Sequence, residues 1–143
     1  MSLVLENVDK IYGEGSRHPV HAVRTMNLDI ADGEIIALLG SSGCGKTSTL
    51  RMVAGFETVS HGTINLAGRR IDTLPPARRG VAMAFEGYAL YPPLTIAENI
   101  GFALRGERRD KAAVEQEVRE VADLLEIGPI LGRKPNGLSG GQQ

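Results

Sequence analysis

Eight consecutive residues, Gly40-Ser41-Ser42-Gly43-Cys44-Gly45-Lys46-Thr47, satisfy the pattern G-x-x-x-x-G-K-[ST], and their types suit the binding of a polyphosphate. Glycines let successive backbone N–H groups curl around anionic oxygens, and a helix starting behind them adds the positive end of its dipole. Lys46 is then placed to bridge the β- and γ-phosphates. Thr47 can give its hydroxyl to Mg²⁺, a hard cation that takes oxygen ligands, and Ser48 completes the candidate nucleotide-binding set. Cys44 reads as a small side chain that fits the loop rather than a redox group. As the only cysteine it cannot close an internal disulfide.

A loop of this kind needs a buried strand before it and a helix after it. Ile35 to Leu39 is apolar on both faces, as a strand of a covered parallel sheet is, and Lys46 to Ala54 has helical composition ending at a glycine, Gly55. Upstream, Leu3 to Leu5 with Val8, Val20 to Val23 and Met26 to Ile30 read as short strands, with Met26, Leu28 and Ile30 sharing a face. Ile64 and Leu66 alternate with polar neighbours before the turn Ala67-Gly68. Val81 to Phe85 is a second apolar run, expected as a buried strand that delivers the Glu86 carboxylate to the sheet's carboxyl edge, where ligands bind. Thr95 and Glu98 form a capping-box pattern ahead of the stripe Ile96, Ile100, Ala103 and Leu104. Asp110 can cap a second helix in which Val114, Val118, Val121 and Leu125 recur, stopped by Gly128-Pro129. The elements together predict a mixed α/β core with a helical appendage.

Composition narrows the classes. The chain has 143 residues, 42% hydrophobic and 23% charged, enough for one domain with a core. A formal net charge of -1 implies no bulk attraction to nucleic acid or anionic membrane, so no nucleic-acid partner is expected. The first residues lack the basic start and apolar core of a signal peptide. The apolar runs are far shorter than the ~20 residues of a membrane-spanning helix. The cytosol is the expected compartment, with any membrane association made through a partner. His18, His21 and His61 have no metal-cluster spacing and read as solvated or locally bonded.

The last residues separate the many functions that a phosphate loop serves. Leu138-Ser139-Gly140-Gly141-Gln142 matches the LSGGQ signature, and the chain resembles the ATP-binding cassette (ABC) ATPases over essentially its whole length. The resemblance implies an α/β P-loop NTPase core with an N-terminal antiparallel β subdomain and a helical subdomain. Residues 1–87 would form the β subdomain and core, 88–137 the Q-loop region and helical subdomain, and 138–143 the signature. It also implies a head-to-tail dimer with a second ATPase subunit, the Ser139 hydroxyl and the amides of Gly140 and Gly141 reaching the γ-phosphate held by the partner's loop. Tyr12, in Val8-Asp9-Lys10-Ile11-Tyr12-Gly13, lies where the family stacks an aromatic on adenine; ordinary core packing is the other reading. Phe85 to Thr95 is similar to the Q-loop, with Glu86 in place of its glutamine. Glu86 then brings negative charge beside the triphosphate and its Mg²⁺; alternatively Val81 to Glu86 is a Walker-B-like strand with Glu86 as the metal acid.

Ala89 to Ile100 and the tail LSGGQQ are similar to bacterial importer ATPases, especially those serving carbohydrate uptake. That likeness implies transmembrane permease subunits as partners, an extracytoplasmic solute-binding protein indirectly, and a peripheral place on the cytoplasmic side of the inner membrane. Leu90, Tyr91, Leu94 and Ile96 could pack beneath the helical subdomain, receive a cytoplasmic helix of the permease, or both. The family's aspartate and glutamate after the signature, and its later histidine, are not among these residues. The expectation is therefore that this chain binds ATP without hydrolysing it efficiently. A soluble ABC ATPase acting on nucleic acid or ribosomes, and a non-hydrolysing nucleotide-binding fragment, are the alternatives. Arg78, Arg79, Arg105, Arg108 and Arg109 read as solvated charge with no assigned role.

Overall fold

The N-terminal apolar residues pair into an antiparallel sheet of order β2-β1-β3-β4, formed by β1 (Leu3–Tyr12), β2 (Val20–Ile30), β3 (His61–Leu66) and β4 (Arg69–Arg70). The computed structural model describes residues 1–85, 90–104 and 110–142, in two units, Met1–Met83 and Ala84–Gln143. In the first, Leu5, Val8, Val23, Met52, Ile64 and Ile71 make the buried core. Leu5 and Val8 are an odd number of residues apart, so strict alternation would send them to opposite faces. A register shift between them, with Asn7 at φ 49°, restores both to the core. The same device acts in β2. Val23 is buried, Met26, Leu28 and Ile30 are half-buried, and Thr25 at φ 42° switches the parity between them. The two short strands expected at 20–23 and 26–30 are thus one bent strand.

Helix α1 (Lys46–Ala54) lies over this core through Met52 and ends at Gly55, whose φ of 89° and N–H bond to the Arg51 carbonyl close the last turn. The hairpin turn at Ala67-Gly68 falls where the sequence places it, both residues having positive φ. Arg79 departs from its reading as solvated charge. It is 5% exposed, and its guanidinium donates to the carbonyls of Met52 (2.6 Å), Val53 (3.2 Å), Leu74 (2.8 Å) and Asp72 (2.9 Å). A fork of fixed donors suits the orphan carbonyls at a helix end, and burial lowers its pKa from the ordinary arginine value, with nearby Asp72 opposing that shift.

The two apolar runs expected as buried strands form no strand. Residues 35–39 and 81–85 belong to no ladder, and Ile35 and Leu39 are 95% and 91% exposed. An apolar run becomes a buried strand only when neighbours supply ladder bonds and cover its faces. Among the described residues no strand pairs with either run.

In the second unit Ile96, Ile130 and Leu138 are buried together, with Leu90, Ile100, Ile127 and Leu131 around them. The capping box forms as expected at α2 (Ile96–Ile100). Thr95 Oγ1 accepts from the Glu98 N–H, and Glu98 accepts from the Thr95 N–H. The next amides, of Ile96 and Ala97, donate to the carbonyls of Arg133 and Leu131. The expected stripe stops early: Gly101 caps the helix and Ala103 is exposed. Helix α3 (Lys111–Leu124) follows Asp110, which occupies the cap position without a side-chain bond. Its buried residues are Val118 and Ala122. The expected Val121 and Leu125 are instead 42% and 59% exposed, because the 114–118–122 row faces α2 through Gly101, where a Cβ would stand 3.2 Å from Val118 Cγ2. The chain leaves the helix at Glu126, φ 56°, before Gly128. No helix among the described residues is long and apolar enough to cross a membrane.

Candidate functional site

The glycine loop sits at the N-terminus of α1, and its geometry follows from one position. Gly45 is the N-cap at φ 92°. A Cβ there would run into the Ala22 carbonyl oxygen and stand 2.9 Å from Val23 Cγ2, so only glycine lets β2 approach the loop. Lacking a side chain, Gly45 gives the first turn no side-chain cap, and that turn holds no acidic residue. An N-terminus left positive in this way suits an anion. Lys46 Nζ donates to the Gly40 and Ser41 carbonyls, both at 2.8 Å, and lies 3.4 Å from Cys44 Sγ. The ammonium therefore arches over the loop that Ser41, Ser42 and Gly43 complete. Thr47 is exposed on the first turn, while Thr49 is buried and donates to the Gly45 carbonyl at 3.0 Å. Cys44 is a free, exposed thiol.

Tyr12, at the end of β1, comes to the same helix. Its hydroxyl is 3.1 Å from Ser48 Oγ, and its ring stays partly exposed. Lys10, two residues earlier on the same strand face, is 6% exposed, and its ammonium lies over the Tyr12 ring. Tyr12, Lys46, Thr47 and Ser48 are thus gathered on the first turn of α1, which can carry an aromatic contact, a cation and a hydroxyl along one polyphosphate-bearing ligand. A cleft of about 530 Å³ beside the loop is lined by Val23, Met26, Leu38 and Leu39 together with Gly43 to Lys46. Tyr12 and Thr47 do not line it, so it is not the surface those two form.

In the second unit, Leu138 is buried and anchors the segment that follows. Ser139, Gly140, Gly141 and Gln142 are exposed. The Ser139 N–H donates to Gln142 Oε1 at 3.1 Å and the Gln142 N–H to the Ser139 carbonyl at 3.0 Å, closing a tight exposed turn. Glu86 lies outside the described residues, as do Tyr88, Arg105, Arg108, Arg109 and Gln143. Of the four residues weighed as packing or as a groove, Ile96 is buried, Leu90 and Leu94 are partly so, and Tyr91 is 49% exposed beside Phe102, ring centroids 4.5 Å apart.

Three residues escaped the sequence reading. Lys10 and Arg79 were hidden because charge ordinarily marks a solvated surface. Asn99 fixes the turn ahead of α2: its Nδ2 donates to the carbonyls of Tyr91, Leu94 and Thr95, and its Oδ1 accepts from the Tyr91 N–H at 2.7 Å. No local spacing announces such a role. His21 pairs with Asp9 at 2.7 Å and His61 lies 3.7 Å from Glu14. Among the described residues, no three His, Cys, Asp or Glu come together as a metal site.

Residues 23–143 match the family described as ABC transporter. Over 137 residues the chain is 47% identical to the sn-glycerol-3-phosphate import ATP-binding protein UgpC 3 of Rhizobium johnstonii, covering 96% of this chain and 38% of that protein. It is also 47% identical over 141 residues to the trehalose import ATP-binding protein SugC of Mycobacterium tuberculosis, covering 99% of this chain and 35% of that one. The chain thus spans little more than a third of the length of these relatives. A solved dimeric post-hydrolysis state of the ATP-binding cassette MJ0796, bound to ADP and Pi, superposes with a TM-score of 0.85 at 26% identity, over 98% of this chain and 64% of that one.

Proposed function

The chain belongs to the ABC transporter family, and from that premise we propose that it is the ATP-binding part of an importer ATPase that takes up a carbohydrate or a polyol phosphate. The observation that carries the reading is the first turn of α1, uncapped and free of acid behind Gly45, with Lys46 over the loop and Tyr12 tied to Ser48. Backbone amides from Gly43 to Thr47 and the Lys46 ammonium would hold the triphosphate, and the Tyr12 ring would stack on the base. Mg²⁺ would supply charge neutralisation at the β- and γ-oxygens, with the Thr47 hydroxyl, and Glu86 at the Q-loop position, as its protein ligands. The exposed Ser139–Gln142 turn suits the γ-phosphate of a second subunit in a head-to-tail dimer. The relatives' names support import and solute class, and the exposed Tyr91–Phe102 pair offers a permease an aromatic docking point. The protein would then work as a peripheral subunit on the cytoplasmic face of the inner membrane, with an extracytoplasmic solute-binding protein upstream.

Thermal unfolding of the protein that carries this domain, with and without Mg-ATP, tests nucleotide binding. At 100 times its Kd a ligand adds about 2.7 kcal/mol to the folded state, and Lys46→Ala is expected to remove most of that gain. An equal shift in the Lys46→Ala protein would reject the phosphate assignment. Co-purification with a permease tests transport. Salt-sensitive nucleic-acid binding in its place would move the protein to the soluble ABC ATPases.

A further inference from the structure

Lysine is among the residues least often buried, yet Lys10 stands in the packed face of β1 at 6% exposure. Its ammonium donates to the Thr58 carbonyl at 2.9 Å and reaches Thr58 Oγ1 at 3.4 Å. It pairs with Glu57 Oε2 at 3.0 Å, and it lies 4.8 Å from the centroid of the Tyr12 ring. The carboxylate and carbonyl hold the charge on one side while the ring's electron-rich face receives it on the other, within the range of a cation–π contact. At its far edge the same ring is held through its hydroxyl by Ser48 on α1. Tyr12 is therefore fixed at one face and at its tip, while the residue stays partly exposed.

We propose that Lys10 is a positioning residue for nucleobase stacking: clamped by Glu57 and Thr58, its ammonium closes one face of the Tyr12 ring and presents the other to the base. The cation also draws π density away from the outer face, which favours contact with an electron-rich purine. Ser48 ties that platform to the helix whose first turn holds the phosphates, so base and phosphate sites keep a set separation. This deepens the function proposed above and rests on its placement of the base against Tyr12.

The test compares two ligands of the same protein, Mg-ATP and Mg-triphosphate without a nucleoside, by calorimetric titration. A purely structural role for Lys10 would weaken both ligands together. Lys10→Met combined with Glu57→Gln removes the cation without stranding a carboxylate. It is expected to weaken ATP about threefold to tenfold while triphosphate stays within about twofold. Lys10→Arg, which keeps a cation for the ring and for Glu57, is expected to keep the wild-type ratio between the two ligands. Lys10→Gln, neutral but still able to donate to the Thr58 carbonyl, must reproduce the selective loss, and it serves if the double variant does not fold. Parallel loss of both ligands, or no loss of either, overturns the role of Lys10. A wild-type protein that binds neither ligand instead overturns the nucleotide reading, and a Tyr12→Leu variant that keeps full ATP affinity overturns the placement of the base on Tyr12; either result takes the inference with it.

Discussion

At the scale of single residues, the site depends on a side chain that is absent. Gly45 has none, and both its φ of 92° and the nearness of the Ala22 carbonyl exclude a Cβ. Gly45→Ala is expected to cost about 2 kcal/mol of stability through backbone strain and steric conflict, and to abolish the Mg-ATP-dependent rise in melting temperature. A mutant with wild-type melting and binding would show that β2 can move away from the loop at no cost. Arg79 satisfies four carbonyls, two at the end of α1 (Met52 and Val53) and two between α1 and residue 79 in sequence (Asp72 and Leu74). The glycine-lysine-threonine pattern was legible in the sequence because those residues act through local backbone geometry. The buried cations Lys10 and Arg79 were not, because the partners that bury them include Glu57, 47 residues downstream of Lys10, and Met52, 27 residues upstream of Arg79.

At the scale of elements, the bends and caps decide which faces turn inward. Asp9 holds the bend of β2: its carboxylate accepts the Thr25 N–H at 3.0 Å and bonds His21 at 2.7 Å. The Thr25 amide first, and His21 after it, hold the Asp9 carboxyl below the ordinary carboxylate value. A lowered folded pKa means that this contribution is present above the ordinary carboxylate range and is lost as pH falls through the lower folded value. Protection of the Thr25 amide from hydrogen exchange, corrected for intrinsic rates, is expected to drop below about pH 4. Asp9→Asn should flatten that acid limb, and an unchanged limb would assign it to another group. The two helices of the second unit differ in a way the capping patterns alone do not show. Thr95→Ala removes the bonds that its hydroxyl makes with the Glu98 N–H and carboxylate, leaving only the Thr95 N–H to Glu98, and is expected to cost about 1 kcal/mol. Asp110→Ala removes only a charge near the start of α3, worth about 0.3 kcal/mol. Amide exchange at Glu98 and in the first turn of α3 reads the two separately, and equal effects would refute the distinction.

At the scale of the whole molecule, the decisive feature is the pair of apolar runs with which no strand among the described residues pairs. Ile35 and Leu39 expose nearly all of their surface, and such side chains drive association when nothing packs on them. The 143-residue chain is therefore expected to bind 1-anilinonaphthalene-8-sulfonate and to scatter light at rising concentration. Ile35→Lys with Leu39→Lys should reduce both, and a monomeric, dye-negative wild-type chain would contradict the exposure. The sequence by itself determined whatever acts over a few residues: the glycine loop opening α1, the Gly55 cap, the Ala67-Gly68 turn and the capping box at Thr95. Each depends on backbone dihedrals and hydrogen bonds within one or two turns. Only the tertiary structure decided what depends on distant partners: the parity switches at Asn7 and Thr25, the burial of Lys10 and Arg79, and the row of α3 that turns inward. It also decided that residues 35–39 and 81–85 form no strand, since apolar character is local but the ladder and cover that make a strand are supplied from elsewhere in the fold.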